Sequence, residues 1–475
     1  MKKLLVTTLS ITFFCTYLWA KTPQDIEPSL KFKPLQFNPP TVQKQYLTQG
    51  TTLFLLEDHE LPLIQIQALV RTGTMYDPAD KIGLGQMCGT LMRTGGTEFQ
   101  SSDEIDNELE FIGASVESGI DIESGSVSLS VLSKDLEKGL RVFFDVLYRP
   151  AFNTKKLDIE KSKIIESIRR RNDEPFQIAR REFRKLIYGN EHPLSRTLKI
   201  KTIKKISQKD LIAFHQNYFK PNNMMIAISG DFETEKIIKR IEKEFKNIKP
   251  ELVQFPKIQQ INFTEQTPTQ HIGIAQKELN QASILLGHLG VKRHNPDRFI
   301  LEVLNEILGG NSFSSRLYQE IRTKKGLAYW VGSSFSEPWD YGTIAAGCQT
   351  KSETVGQTLQ SILGEIDRIK TELVPNTELQ RAKNSIMNSF VFRFTSPHAI
   401  ITQKMSLEYL GYPTDYLETY TQKIADVSAN DILNIAQKYI HPEKFQFIIV
   451  GSPKNFDINL STFGVIKNID ISQPD

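Results

Sequence analysis

An internal duplication constrains the fold of this chain more than any other feature of its sequence. The segment "ISQKDLIAFHQNYFKPNNMMIAISGD", starting at Ile206, aligns without a gap with "VSANDILNIAQKYIHPEKFQFIIVGSP", starting at Val427, at a constant offset of 221 residues. The same residue types coincide at Ser207 and Ser428, Asp210 and Asp431, Gln216 and Gln437, Tyr218 and Tyr439, Pro221 and Pro442, Ile228 and Ile449, and Gly230 and Gly451. At 475 residues the chain is also too long for one core, so the repeat predicts two related domains.

Each copy of the repeat predicts a helix followed by a buried strand. Ser207 and Ser428 can accept hydrogen bonds from free N–H groups at the start of a helix, and the aspartate three residues later completes a capping box. A proline then ends the helix, and the apolar runs "MMIAISG" and "FQFIIVG" are typical of buried strands. Each half therefore ends in the same helix-strand unit.

The rest of each half repeats the same order of elements. A helical segment (83–93 or 298–308), a pair of alternating strands and a long amphipathic helix (153–183 or 376–409) recur in both halves. These blocks indicate an α+β fold with two homologous domains, each a mostly antiparallel sheet covered by helices on one face. The predicted boundaries are an N-terminal domain at 37–247, a proline-containing linker at 248–270, a C-terminal domain at 271–455 and a tail without periodic pattern at 456–475.

The first residues, "MKKLLVTTLSITFFCTYLWA", have the pattern of a secretory signal, because Lys2 and Lys3 precede an apolar run that ends at Ala20. Residues 1–20 therefore predict export to a bacterial periplasm, with cleavage near Lys21. An uncleaved membrane anchor is the alternative, but the short run with its threonines favours cleavage. No later run reaches the length of a membrane span, so we expect no integral membrane segment after signal removal.

The balance of charged residues argues against nucleic acid as a ligand. Lysine and arginine number 58 against 55 aspartates and glutamates, so nucleic acid is not an expected partner.

Signal removal leaves Cys88 and Cys348, which we interpret as buried apolar side chains, with a bridge between them left open. The alternating charges of segment 166–189 predict a solvated helix face with pairs four residues apart.

A first motif links the chain to a known family. Residues 37–453 resemble the insulinase or pitrilysin family of zinc peptidases, which includes the mitochondrial processing peptidase. The stretch "GLGQMCGTLMRTGGT", beginning at Gly83, is similar to the family's helix "GLAHFLEHMLFxGT". In that family the two histidines bind zinc and the glutamate between them activates the attacking water. The resemblance implies that this segment is the counterpart of the zinc helix.

Every chemical role of that helix is missing here. Gln86 stands at the first histidine, Gly89 at the general base and Thr90 at the second histidine. An amide, a hydrogen atom and a hydroxyl do not replace zinc ligands and a proton acceptor. Glu166 stands where the resemblance places the third ligand, but one carboxylate does not hold zinc. The 8 histidines contain no pair at helical ligand spacing, so the sequence predicts no metal in this chain.

The second half keeps another family signature. The stretch "LNEILGGNSFSSRLYQEIRTKKGLAYWV", starting at Leu304, resembles the family's C-terminal motif and contains its arginine and tyrosine as Arg322 and Tyr329. In the family this pair reaches the zinc half and hydrogen-bonds the substrate backbone, so the resemblance implies a substrate-binding role. The alternative is an exposed arginine at a helix end beside a half-buried strand tyrosine.

The same stretch offers a candidate substrate loop at Gly309, Gly310, Phe313, Ser315 and Arg316. Within this loop the two glycines have an alternative interpretation as a helix C-cap.

The two motifs together resemble a subunit that grips substrate while another chain holds the metal. We therefore expect a heterodimer enclosing a chamber, in which a partner with an intact HxxEH motif supplies zinc, base and water, and this chain alone is inactive. Extended or unfolded peptides are the expected substrates, because exposed sheet edges can pair with them. Two alternatives stay open: a structural or peptide-binding scaffold without proteolysis, and a metallopeptidase with atypical ligands.

Overall fold

A computed structural model of the chain describes residues 40–246, 248, 250–258, 260–261, 270–310 and 313–472. The expected signal peptide at 1–20 and part of the expected linker therefore lie outside the described residues. None of the helices in these ranges combines the length and the apolar character that a membrane span requires.

The described chain contains two six-stranded sheets, one in each half. The strands are β1 (Gln43–Tyr46), β2 (Thr52–Glu57), β3 (Leu63–Arg71), β4 (Ser115–Ile120), β5 (Ser124–Leu132), β6 (Met224–Gly230), β7 (His271–Gln276), β8 (Gln281–Leu289), β9 (Ala328–Phe335), β10 (Thr343–Lys351), β11 (Gln446–Gly451) and β12 (Val465–Asn468). The helices are α1 (Leu84–Thr94), α2 (Ser102–Ile112), α3 (Leu136–Tyr148), α4 (Thr154–Arg170), α5 (Pro175–Tyr188), α6 (Ile200–Lys205), α7 (Gln208–Tyr218), α8 (Thr234–Phe245), α9 (Arg298–Leu308), α10 (Val355–Thr371), α11 (Asn376–Val391), α12 (Pro397–Tyr409), α13 (Tyr416–Ala425) and α14 (Ala429–Tyr439).

The two sheets have the same internal order. The first sheet runs β1-β2-β6-β3-β5-β4 and the second β12-β7-β11-β8-β10-β9, so β2 to β6 correspond one by one to β7 to β11. Within the described ranges, neighbouring strands are antiparallel except β2 with β6, and β7 with both β11 and β12. The predicted α+β fold with two homologous, mostly antiparallel domains is confirmed.

The repeated helix-strand unit forms as the sequence predicts. Ser207 caps α7 in a capping box with Asp210, and Ser428 caps α14 in the same way with Asp431. The strands β6 and β11 follow, each buried along most of its length. The helix of each copy therefore begins with an equivalent serine-aspartate capping box.

The long helix predicted in each half is in fact two helices. Residues 153–183 are divided between α4 and α5, and residues 376–409 between α11 and α12. Pro175 and Pro397 occupy the first helical turn of α5 and α12. Because proline has no N–H and fixes its φ angle, it favours the start of a new helix over continuation of the old one.

The second helix of each pair crosses to the other half. On α5, Ile178, Ala179, Phe183 and Ile187 form one apolar cluster with residues of the second sheet: Ala275, Leu289, Ala345, Ile448 and Val450. On α12, Ile401 and Met405 pack against residues of the first sheet: Phe54, Leu56, Leu69 and Ala227. The prediction of helices on one face only was therefore wrong, because each sheet receives a helix from the other half on its second face.

Truncating the crossing helix α12 tests this exchange. We expect Ile401→Ala, which removes a fully buried side chain from the first sheet, to lower the free energy of unfolding by about 2–5 kcal/mol. Gln403→Ala on the same helix is the control, because Gln403 is only partly buried. Urea titration followed by circular dichroism measures both, and equal losses in the two variants would contradict the packing described here.

The tail forms an element that its sequence pattern does not predict. Strand β12, within the tail at 456–475, pairs in parallel with β7 and lies at the position that β1 takes in the first sheet. All four residues of β12 are exposed, so no apolar alternation marks the strand. Its formation depends on the unpaired backbone groups at the edge of β7.

The two cysteines that lie in the described residues are buried and unpaired. Cys88 lies in α1 and Cys348 in β10, and both are free thiols. Burial raises the pKa of the Cys348 thiol to about 12. The bridge left open by the sequence is not formed, and the interpretation of both residues as apolar core side chains is confirmed.

Candidate functional site

Helix α1 is anchored by a buried carboxylate at its first turn. Gly83 precedes the helix with a φ of 105°, a left-handed conformation that favours glycine. The Asp77 carboxylate accepts hydrogen bonds of 2.7 Å from the backbone N–H groups of Gly83 and Gly85. Burial nevertheless raises the pKa of Asp77 to about 6. The Asp77 carboxylate therefore caps α1, because the N-cap residue Gly83 has no side chain that could do so.

The face of α1 that carries Gly89 is packed against an edge strand. An added Cβ at Gly89 would lie 2.3 Å from the backbone nitrogen of Ile120 and 2.7 Å from the carbonyl carbon of Gly119, both in β4. The hydroxyl of Ser118 in the same strand donates a 2.6 Å hydrogen bond to the Gly89 carbonyl oxygen. The backbone of β4 thus occupies the space that a side chain at position 89 would need.

The two flanking positions of α1 do not supply zinc ligands either. Gln86 is exposed, and the Thr90 hydroxyl donates a 3.2 Å hydrogen bond to the Gln86 carbonyl oxygen within the helix. Neither group is a preferred zinc donor, and no carboxylate or imidazole accompanies them on α1. The residues of this helix therefore do not fit a zinc ion.

Glu166, at the third-ligand position, is an ion-pair partner. Its carboxylate lies 2.9 Å from the Arg170 guanidinium and 3.6 Å from that of Arg169, both on α4. Within the described ranges, no cluster of three or more histidine, cysteine, aspartate or glutamate side chains is arranged to hold a metal. The Glu166 carboxylate is therefore paired with arginines of its own helix.

Arg322 and Tyr329 lie against each other at the surface. Arg322 belongs to a π-helical segment, Tyr318–Lys324, and its guanidinium carbon is 4.9 Å from the ring centre of Tyr329 and 4.8 Å from that of Tyr318. Tyr329 is 79% exposed. A guanidinium that lies over two aromatic rings keeps its N–H groups at the edge of the stack, where they can donate to a ligand.

A β-bulge orients Tyr329. In the pairing of β9 with β10, Ala328 is opposite Thr350 and Trp330 opposite Gln349, so Tyr329 is the additional residue. The bulge breaks the alternation of the strand, and Tyr329 and Trp330 are both exposed. Strand β9 is also the last strand in the order of the second sheet, paired with β10 alone within the described ranges. The arginine-tyrosine pair therefore adjoins a free strand edge.

The five residues of the candidate loop have different environments. Gly309 is the C-cap of α9, and its carbonyl oxygen accepts a 2.7 Å hydrogen bond from the Ser333 N–H of β9. The Gly310 N–H donates a 2.7 Å hydrogen bond to the Asn305 carbonyl oxygen. These contacts give the glycines the helix-end role that the sequence left as an alternative, with close approach to β9.

Arg316 anchors this loop internally. It is 7% exposed and donates two hydrogen bonds of 2.9 Å to the Glu378 carboxylate of α11. Ser315 is also buried, whereas Phe313 is 73% exposed and its ring lies 5.1 Å from that of Tyr318. Of the five residues, Phe313 is the one whose side chain both meets solvent and adjoins the Arg322 stack.

Sequence comparisons agree with this arrangement of motifs. The family model described as insulinase (peptidase family M16) matches residues 54–200, and the model described as the peptidase M16 inactive domain matches residues 205–386. The chain belongs to the M16 insulinase family.

Relatives of this M16 chain have similar length. An uncharacterized zinc protease of Rickettsia felis is 24% identical over 402 residues, covering 82% of this chain and 93% of that protein. A non-peptidase homolog, YmxG, of Helicobacter pylori is 22% identical over 403 residues, covering 84% and 91%. A solved peptidase M16 inactive domain from Pseudomonas fluorescens has a TM-score of 0.78 at 24% identity and covers 87% of this chain and 98% of that chain. The structural likeness shows the shared fold.

The M16 chain also contains a cleft between its two halves, with a volume of about 1070 Å³. We call it the interdomain cleft; its lining includes Phe176, Arg180, Arg184, Trp330, Ser334 and Tyr409. The rings of Phe176 and Trp330 are 4.9 Å apart in an edge contact. The cleft therefore begins one residue beyond Tyr329 along β9.

The arginines of the interdomain cleft were missed by the sequence interpretation. Segment 166–189 was expected to be a solvated face with paired charges, but its second part is the crossing helix α5. The signal that could have revealed this is the apolar spacing of Ile178, Phe183 and Ile187, which indicates a buried helix face. Charge alternation conceals that face when the segment is treated as one helix.

The lowered pKa values of two buried histidines, His215 and His288, predict that the stability of the M16 chain depends on pH. Burial lowers the pKa of His215 and of His288 to about 4, although each ring donates a hydrogen bond to a backbone carbonyl oxygen. An unfolded histidine takes up a proton near pH 6.5, whereas these folded ones do not. We therefore expect these two histidines to lower the free energy of unfolding as the pH falls from 6.5 towards 4. Asp77, with its raised pKa, opposes this trend.

Urea titrations between about pH 7 and pH 5 measure this dependence. His215→Phe removes one titrating group while keeping an aromatic ring beside Phe152 and Phe219, so its unfolding free energy should change less with pH. The same pH dependence in this variant as in the unmodified chain would contradict the assignment.

Proposed function

We propose that this chain is the non-metal-binding subunit of a periplasmic, heterodimeric zinc metallopeptidase that cleaves unfolded peptides. The observation that carries the proposal is the exposed Arg322–Tyr329 stack on a bulged edge strand, in a chain whose α1 cannot hold zinc. A partner of the same family with an intact HxxEH motif supplies zinc, base and water. This chain supplies substrate contacts and part of the chamber wall.

The chemistry of the pair suits a peptide backbone near the scissile bond. The Arg322 guanidinium and the Tyr329 phenol are hydrogen-bond donors, and both can stabilise negative charge that develops on a carbonyl oxygen in the transition state. The aromatic stack holds Arg322 in one orientation before substrate arrives, which reduces the cost of ordering it. The free backbone groups of β9 can pair with an extended peptide, which favours unfolded substrates.

A scaffold without proteolysis is the second candidate. The packing of Gly89 against β4 favours it, because α1 has become a structural helix, and so does the description of the Helicobacter pylori relative as a non-peptidase homolog. In that case the arginine-tyrosine pair binds peptide or stabilises the loop, and no bond is cut. A metallopeptidase with atypical ligands lacks a comparable observation in its favour.

Reconstitution with an HxxEH-bearing relative from the same organism distinguishes these functions. We expect the mixed dimer to contain about one zinc ion, located in the partner, and to cleave a denatured protein that neither chain cleaves alone. A dimer that forms but never digests peptide supports the scaffold. About one tightly held zinc ion in the isolated chain, removable with loss of activity, overturns the proposal in favour of atypical ligands.

The periplasmic location is a separate part of the proposal. It is supported by Lys2, Lys3 and the apolar run that ends at Ala20. Mass spectrometry of the chain recovered from the periplasmic fraction should give a mature form that begins near Lys21. Recovery of the full-length chain from the cytoplasm alone would contradict export.

A further inference from the structure

Two cationic side chains that line the interdomain cleft have no protein partner among the described residues. Arg180 and Arg184 lie one turn apart on α5 and line the cleft. In the part of the chain that the structure describes, neither forms an ion pair or a side-chain hydrogen bond, whereas their neighbours Arg181 and Lys185 both pair with Glu182. Burial and, after it, repulsion by the guanidinium group of Arg180 lower the pKa of Arg184. An anionic ligand would relieve that repulsion.

The carboxylates of the cleft lining do not neutralise these arginines. Glu123 pairs with Arg293 at 2.8 Å and Glu337 with Arg298 at 2.8 Å. Asp121, the remaining carboxylate of the lining, lies in the turn between β4 and β5 and pairs with neither Arg180 nor Arg184. The wall formed by α5 therefore presents a local positive charge.

The volume and the lining of the interdomain cleft suit an extended peptide. Its volume of about 1070 Å³ exceeds what a small inorganic anion occupies and reaches the size of sites that enclose larger ligands. Phe176 and Trp330 supply an aromatic wall, and Ser334 lies on the edge strand β9, which can extend a backbone pairing that starts near Tyr329. A peptide paired with the edge of β9 beside Tyr329 can therefore continue into the cleft.

The spacing of the two arginines matches acidic residues at alternate positions. Side chains one helical turn apart are separated by about 6 Å, and alternate side chains of an extended strand, which point to the same side, by about 6.6 Å. We propose that the interdomain cleft is a subsite for an extended segment with acidic side chains at alternate positions, which Arg180 and Arg184 bind. The assignment rests on the proposed function, because it takes the ligand to be the substrate peptide.

Direct binding to the isolated chain tests this subsite. The probe is a short fluorescein-labelled peptide with glutamates at alternate positions, compared with the same peptide carrying glutamine or lysine, by fluorescence anisotropy. The glutamate peptide should bind most tightly, and Arg180→Gln/Arg184→Gln should weaken it roughly tenfold or more. The matched control is Arg169→Gln/Arg170→Gln, whose side chains are exposed on α4 and pair with Glu166.

A charge reversal gives a second, independent outcome. Arg180→Glu/Arg184→Glu should transfer the preference from the glutamate to the lysine peptide. Equal binding of the three peptides, absence of binding, or an equal loss in the control pair overturns the subsite. Because the measurement uses the isolated chain, it is separate from cleavage by the mixed dimer: a failure of cleavage with arginine-dependent binding removes the peptidase role but leaves the acidic-peptide site.

Discussion

Restoring the motif residues, as Gln86→His/Gly89→Glu/Thr90→His, should destabilise the chain rather than create a zinc site. A Cβ at position 89 would lie 2.3 Å from the backbone nitrogen of Ile120, so a glutamate side chain cannot enter without moving β4 away from α1. Insertion into a packed contact of this kind costs about 3 kcal/mol, more than most single substitutions. The loss includes the Ser118 to Gly89 hydrogen bond, which depends on the same close approach.

Two matched variants separate the backbone clash from the effect of new histidines. Gln86→His/Thr90→His, which leaves Gly89 in place, should unfold at nearly the same urea concentration as the unmodified chain, because Gln86 is exposed and Thr90 is only partly buried. Gly89→Ala alone should lose most of the stability that the triple variant loses. A triple variant that keeps full stability and binds about one zinc ion would show instead that α1 remains a latent metal site.

The duplication predicts the order of helices and strands in each domain, because each element forms through interactions between residues that are close in sequence. Ser207 with Asp210, and Ser428 with Asp431, begin equivalent helices wherever they occur, and the apolar strands that follow must be buried. Which sheet a helix covers is a different matter. Ile178 and Phe183 have the same helical spacing whether α5 lies on its own sheet or on the other, so periodicity alone does not predict the exchange.

The candidate site likewise has some features that the sequence predicts and others that it does not. The missing ligands at Gln86, Gly89 and Thr90 can be recognised from the sequence, because chemical roles belong to residue types. The bulge that exposes Tyr329 depends on an offset in the pairing of β9 with β10, which involves residues distant in sequence. The contact with Tyr318 likewise needs the π-helical segment, which brings Arg322 over the rings of Tyr318 and Tyr329.

The double variant Arg322→Ala/Tyr329→Phe should lower the turnover of the mixed dimer by about a hundredfold or more. Loss of one donor that stabilises charge in a transition state typically costs this much, and the variant removes the guanidinium and the phenolic hydroxyl together. The effect should appear mainly in kcat, because interactions made only in the transition state leave ground-state binding largely unchanged. Peptide cleavage is measured at saturating and limiting substrate, with assembly of the two chains followed by size-exclusion chromatography.

Lys324→Ala is the matched control for this experiment. Lys324 lies on the same π-helical segment, is exposed, and pairs with Glu320 rather than with the aromatic stack. Its removal changes the local charge but not the donors at the free edge of β9, so turnover should stay within about twofold. If the control and the double variant cleave equally well while both assemble, Arg322 and Tyr329 do not contact the transition state. If the double variant fails to assemble, the pair belongs to the subunit interface, because a residue that only stabilises developing charge is not needed for two chains to associate.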